Sequence, residues 1–184
     1  MPRIVSISSL KGGVGKTSIT LGLASAALHS GLSTLVIDLD PHGDASTALA
    51  VDERIPDVAS LIASPNERAF ADETGESSWN TLVDKPTLLT STPAGTGCVR
   101  VARGSARSTL IDRQKAAPFI RRFKRMVKAA ADAYDLILID CPPFFGTLSS
   151  MGWAVSERVL SVAEPALFSV AGTERTLRAI LRFQ

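Results

Sequence analysis

Short apolar runs recur along the chain and set its rhythm. They are Ile4-Val5-Ser6-Ile7, Thr34-Leu35-Val36-Ile37, Leu136-Ile137-Leu138-Ile139 and the stretch from Val159 to Val162. Runs of this length, rich in β-branched residues and bounded by polar ones, predict strands covered on both sides. Helical patterns lie between them. One covers 16–30, with Gly31 as its stop. A short one covers 44–50, and Pro56 opens another that carries Val58, Leu61 and Ile62. Over 115–132, Phe119, Ile120, Phe123 and Val127 share one face, and Arg121, Arg122, Arg125 and Lys128 share another. Further helices are expected near 147–156 and from 166 to the end. Leu88 and Leu89 mark a short strand before the Pro93-Ala94-Gly95 turn. Residues 64–81 are polar and aperiodic and predict no element, and 96–112 are ambiguous.

Strands alternating with helices predict an α/β fold: a doubly wound, mostly parallel sheet with helices on both faces. No repeat, low-complexity segment or linker divides it, so residues 1–184 are expected to form a single domain. The chain enters a strand almost at once, so neither a signal peptide nor an N-terminal DNA-binding domain is expected.

Composition narrows this picture a little. Of 184 residues, 45% are hydrophobic and 21% charged, the balance of a water-soluble globular chain. No apolar run reaches the roughly 18 residues that span a bilayer. Cys98 and Cys141 form no Cys-x-x-Cys and are expected as reduced thiols in a cytoplasmic protein. The net charge of +2 hides a segregation. Residues 38–84 hold eleven acids and two bases, whereas 100–128 hold ten bases and one acid. Such separation suggests one face toward a polyanion.

The chemistry centres on Lys11-Gly12-Gly13-Val14-Gly15-Lys16-Thr17, followed by Ser18. A predicted strand precedes it and a predicted helix follows. That is the setting of a phosphate-binding loop, in which glycines let backbone N–H groups turn inward and the helix N-terminus adds partial positive charge. Lys16 would reach the β- and γ-phosphates, and Thr17 would hold Mg²⁺ through its hydroxyl. The usual first glycine is missing, since Leu10 occupies its place. Asp38, Asp40 and Asp140 close two of the apolar strands at their carboxyl ends, where open parallel sheets bind ligands. One carboxylate near the metal and another near the attacking water would suit this spacing. A turn or helix cap is the alternative role for each.

These strings resemble the ParA/MinD group of deviant Walker A P-loop ATPases, and most of all the small ParA-type DNA-partition ATPases. The resemblance rests on residues 11–17, on Asp38-Leu39-Asp40-Pro41-His42-Gly43, and on Asp140-Cys141-Pro142-Pro143 with Gly146. It is weaker at Glu164, Pro165, Phe168 and Gly172. It implies an ATPase that binds ATP/ADP and Mg²⁺ and turns ATP and water into ADP and phosphate. Lys11, Lys16 and Asp40 would be catalytic. Lys11, Gly12, Gly13, Val14, Gly15, Lys16, Thr17 and Ser18 would bind the nucleotide, and Thr17, Asp38 and Asp140 the metal. In that family the first lysine crosses to the nucleotide of a second subunit. The implied partners are therefore a homodimer in the ATP state, non-specific DNA, and a ParB-like centromere-binding adaptor that stimulates hydrolysis on the nucleoid.

Arg121, Arg122, Arg125 and Lys128, aided by Arg100, Arg103 and Arg107, are the candidate DNA contacts, with an ordinary solvated helix face as the alternative. Two other functions stay open. One is a MinD-like positioning ATPase at a membrane, disfavoured because 174–184 reads better as core packing than as an amphipathic anchor. The other is a nucleotide-binding regulator with little turnover. The chain also departs from the family pattern: His42 stands where glutamine is usual, Asp44 where asparagine is usual, and Phe144 and Phe145 where small or polar residues are common. Family members usually continue past the last helix into an adenine-contacting loop, so this fold is expected to be short at its C-terminus.

Overall fold

The computed structural model describes residues 3–64, 66–82, 97–165 and 167–183. Among the described residues, six strands form one sheet: β1 (Arg3–Ser8), β2 (Ser33–Asp38), β3 (Gly75–Glu76), β4 (Cys98–Ala102), β5 (Leu136–Asp140) and β6 (Arg158–Ser161). Their order is β3-β4-β2-β5-β1-β6, parallel throughout except for β3, which runs antiparallel to β4 at one edge. The expected doubly wound architecture is present, with β1 at the point where the strand order reverses.

Side-chain alternation assigns the two faces. Leu35 and Ile37 of β2 and Ile137 and Ile139 of β5 point to one core, while Val36 and Leu138 point to the other. The first core is covered by α3 (Val58–Ala63), α4 (Ala69–Asp72), α6 (Ala116–Ala130) and α7 (Thr147–Val155). Phe70 and Phe123 meet there edge to face, their centroids 5.6 Å apart. The second core is covered by α1 (Lys16–His29) and by Leu49 and Val51, which follow α2 (Asp44–Ala48). The chain ends on α8 (Leu167–Phe183). No helix among the described residues is long and apolar enough to cross a membrane.

Gly31 stops α1 as expected. It takes φ +76°, and the Gly31 and Leu32 N–H groups donate to Leu28 and Ala27 carbonyls in a Schellman closure. Elsewhere the structure corrects the sequence reading. α3 begins at Val58, not at Pro56, because Asp57 is its cap: Asp57 Oδ1 accepts from the Ser60 N–H at 2.8 Å. The 64–81 stretch, expected to hold no element, carries α4, β3 and most of a 3-10 turn at Ser78–Leu82. Its periodicity is invisible because one residue, the fully buried Phe70, anchors it. The ambiguous 96–112 stretch contains β4, a 3-10 turn at Ala106–Ser108 and α5 (Thr109–Asp112). The strand expected at Leu88 and Leu89 lies outside the described residues.

Candidate functional site

The glycine-rich loop leaves β1 and enters α1 without a side-chain cap; Gly15 itself is the N-cap. Gly13 and Gly15 take φ of +75° and +91°, conformations that a Cβ disfavours, so these two positions need glycine. α1 has no acidic residue in its first turn, so no side chain of the helix itself offsets the positive end of its dipole. Its first residue, Lys16, is buried and close enough for its charge to oppose protonation of Asp140.

Asp140 closes β5 directly beneath the loop. Its Oδ2 accepts from Thr17 Oγ1 at 2.8 Å and its Oδ1 from Thr20 Oγ1 at 3.1 Å. Burial pushes its carboxyl up to about 6; the two threonine hydroxyls and Lys16 oppose that rise. Sequence reasoning missed Thr20. It lies three residues after Thr17, one helical turn on and on the same face, which is the signal that could have found it.

Asp38 closes β2 in register with Asp140. It is fully buried, and its Oδ2 accepts from the Ser46 N–H (2.9 Å) and Ser46 Oγ (2.7 Å). Its Oδ1 accepts from the Asp40 N–H at 3.1 Å. Burial drives its carboxyl up to about 7, helped by the charge of Asp140 and opposed by Ser46. Gly104 completes this cluster by donating its N–H to Ser46 Oγ at 2.9 Å. A Cβ on Gly104 would lie 2.7 Å from Asp38 Cγ and 2.9 Å from Asp40 O. Neither Ser46 nor Gly104 carries a sequence signal, because each acts across a fold contact 8 and 58 residues long, respectively.

Asp40 turns back on its own loop. Its Oδ1 accepts from the His42 N–H at 3.0 Å, and its carbonyl from the Gly43 N–H at 3.0 Å. Gly43, at φ +68°, then opens α2. His42, Gly43, Ser46, Arg103 and Gly104 line an adjoining cleft of about 560 Å³. On the other side of the loop, a Cβ on Gly12 would sit 4.0 Å from Pro143 Cβ, so the Asp-Cys-Pro-Pro turn abuts the glycines. Cys141 is fully buried, and burial pushes its thiol strongly up, which leaves it inert as a nucleophile or metal ligand. Phe145 projects into solvent and stacks on Trp153, whose indole N–H donates to Ser8 Oγ at 3.1 Å.

The three strand-end aspartates thus converge, but with different partners. Asp140 faces the loop threonine, Asp38 faces Ser46, and Asp40 faces its own turn. Among the described residues, no group of three or more His, Cys, Asp or Glu is arranged to hold a metal. A hydroxyl beside one buried carboxylate still suits Mg²⁺, which takes few protein ligands and completes its shell with phosphate oxygens and water. Asp140, held above the ordinary carboxylate range with a hydroxyl on it, is the kind of group a cation would relieve.

Lys11 is set apart from Lys16: its Nζ lies 2.5 Å from Glu164 Oε2, on the segment between β6 and α8. The arginines divide in the same way. Arg121, Arg125 and Lys128 are exposed along the outer ridge of α6, and Arg122 is half-buried. Arg125 is paired with Glu67 at 2.5 Å, and Arg122 Nε is buried with no hydrogen-bond partner. Arg100, Arg103 and Arg107 are not on this ridge; they meet Glu76, the Ile55 carbonyl and Asp57, respectively.

A family model described as an AAA domain matches residues 2–184. The chromosome-partitioning ATPase Soj of Treponema pallidum is 29% identical over 176 residues, covering 95% of this chain and 62% of that protein. The chromosome partitioning protein ParA of Myxococcus xanthus is 29% identical, covering 97% of this chain and 58% of that protein. The chain therefore spans about three fifths of the length of these relatives. In fold it resembles cobyrinic acid a,c-diamide synthase from Mycobacterium smegmatis, solved with ADP and magnesium. The TM-score is 0.80 at 20% identity, over 100% of this chain and 69% of that one.

Proposed function

This chain belongs to the ParA/MinD type of P-loop ATPases, and on that premise we propose that it hydrolyses ATP as a partition-type switch. The observation that carries the proposal is the Thr17–Asp140 hydrogen bond at the mouth of a glycine loop. It couples the first turn of α1 to the end of β5, as a nucleotide site with a metal-binding hydroxyl requires.

In this reading the N–H groups of residues 12–18 cradle the phosphates, and Lys16 neutralises charge on the β- and γ-oxygens. Thr17, Asp140 and the neighbouring Asp38 would hold Mg²⁺, which supplies further neutralisation during phosphoryl transfer. Asp40 orients the attacking water and takes its proton, and the products are ADP and phosphate. Its backbone is held for this by the Asp38 carboxylate and its side chain by the His42 N–H.

Lys11 completes the nucleotide site of a second copy, so two chains close on two ATP molecules and part when the γ-phosphate leaves. A second cation there acts as an arginine finger does. The outer ridge of α6, with Arg121, Arg125 and Lys128 and the half-buried Arg122 beside it, contacts DNA phosphates without reading sequence. A ParB-like adaptor bound to a centromere stimulates turnover. Residues 1–184 act as one ATPase domain.

The test compares wild type with Lys16→Ala. ATP turnover that exceeds that of the variant by about 100-fold or more is expected. Light scattering after size exclusion should show a dimer with ATP and a monomer with ADP or no nucleotide. Equal turnover in the two proteins would end the enzyme reading, and a monomer with ATP bound would end the dimer reading.

A further inference from the structure

The two lysines of the loop serve different neighbours. Lys16 is buried beside Asp140, whereas the Lys11 ammonium reaches Glu164 at 2.5 Å. Glu164 leaves the end of β6, 153 residues from Lys11 in the chain, so the fold makes this pair and local sequence does not.

The same region grips the loop a second time. The Leu10 N–H donates to Thr176 Oγ1 at 3.2 Å. Thr176 is fully buried on α8 and fixed there by its own bond to the Gly172 carbonyl at 3.0 Å. Leu10 and Lys11 are thus held from the β6–α8 side. Lys16 and Thr17 belong to α1 and to the carboxylates under it.

The Lys11 and Glu164 side chains are 43% and 42% exposed. Water reaches the pair, and so can a competing anion. A polyphosphate carries more charge and more acceptor oxygens than one carboxylate, so it competes for the ammonium effectively. An exposed ion pair of this kind is weak enough to yield and strong enough to shift an equilibrium several-fold.

We propose that Glu164 is a positioning residue for Lys11. It holds the ammonium within its own chain, and it releases the ammonium to nucleotide phosphates at the closing of two copies. The strength of the pair sets the ATP concentration at which they close. This inference rests on the sandwich-dimer reading above. In this role Glu164 acts through Lys11.

The experiment is an ATP titration followed by size exclusion with light scattering. It uses wild type, Glu164→Gln, Lys11→Ala and Lys11→Ala/Glu164→Gln, each first shown by thermal melting to be folded. Glu164→Gln is expected to dimerise at roughly two- to fivefold lower ATP than wild type. The difference should shrink as salt is raised, because salt screens the pair in wild type. Lys11→Ala and Lys11→Ala/Glu164→Gln should both stay monomeric, and any residual dimer should form at the same ATP concentration in the two, which a purely structural role for Glu164 would not produce. A Glu164→Gln midpoint equal to or above that of wild type overturns the proposal, as does an equal shift in the Lys11→Ala background. A wild-type chain that stays monomeric at saturating ATP overturns the dimer reading itself, and the two failures are distinguishable.

Discussion

Asp38 and Asp140 stand opposite each other in the register of β2 and β5, two buried carboxylates on adjacent parallel strands. Each has a different hydrogen-bonding partner, Ser46 for the first and Thr17 for the second. Burial is the largest influence on both. It raises them from the ordinary 3.8 to about 7 and about 6. The pair therefore favours a cation, or protons in its place.

That relationship fixes a pH dependence. Between the unfolded value of 3.8 and the folded values of about 6 and about 7, the native chain holds protons that the unfolded chain has lost. Stability contributed by these groups therefore falls as pH rises through that window. The loss is absent below about pH 4 and complete above about pH 7. Asp38→Asn should gain stability relative to wild type as pH rises from about 5 to about 8. Paired thermal melts across that range measure the gain, and a difference that is flat with pH would contradict it.

Asp40 should separate binding from turnover. Asp40→Asn keeps the His42 and Gly43 contacts available but cannot take a proton from water. Turnover should fall by about 100-fold or more while ATP affinity stays within about threefold. Steady-state kinetics with equilibrium binding of a fluorescent ATP analogue reads both. A parallel loss of affinity would move Asp40 from the chemistry to nucleotide binding.

Gly104 should tolerate no side chain. A Cβ would press on Asp38 Cγ at 2.7 Å and on the Asp40 carbonyl at 2.9 Å, both inside a packed core. Gly104→Ala should cost about 1–3 kcal/mol in chemical denaturation and lower turnover by displacing Asp40. Unchanged stability would mean that β2 and β4 can separate locally at no cost.

The α6 ridge should carry its DNA contacts unequally. Arg125 is engaged with Glu67, whereas Arg121 and Lys128 are exposed. Arg121→Ala and Lys128→Ala should each make log affinity against log salt shallower by about 0.9. Glu67→Gln, which releases Arg125, should strengthen binding. Filter binding to random-sequence duplex at several salt concentrations decides this, and slopes matching wild type would remove the ridge from the interface.

What the sequence determined by itself is what local chemistry encodes. The Lys11–Thr17 string needs no distant contact to be recognised, since its glycines satisfy backbone angles and its lysine and threonine follow at fixed offsets. The unbroken apolar runs at β2 and β5 announced buried parallel strands, and the sequence put Asp38 and Asp140 at their ends, where the structure has them. Elements with short or irregular patterns escaped. α4 depends on a single buried phenylalanine, and β3 is two residues paired against β4. Tertiary structure alone decided which groups answer the aspartates. Thr20, Ser46 and Gly104 matter through hydrogen bonds and close packing made only when β5, α1, α2 and the loop after β4 come together. It also decided that the loop's two lysines diverge, Lys16 toward a buried carboxylate and Lys11 toward Glu164. Sequence spacing encodes contacts within one turn of chain, and a pair 153 residues apart exists only in the fold.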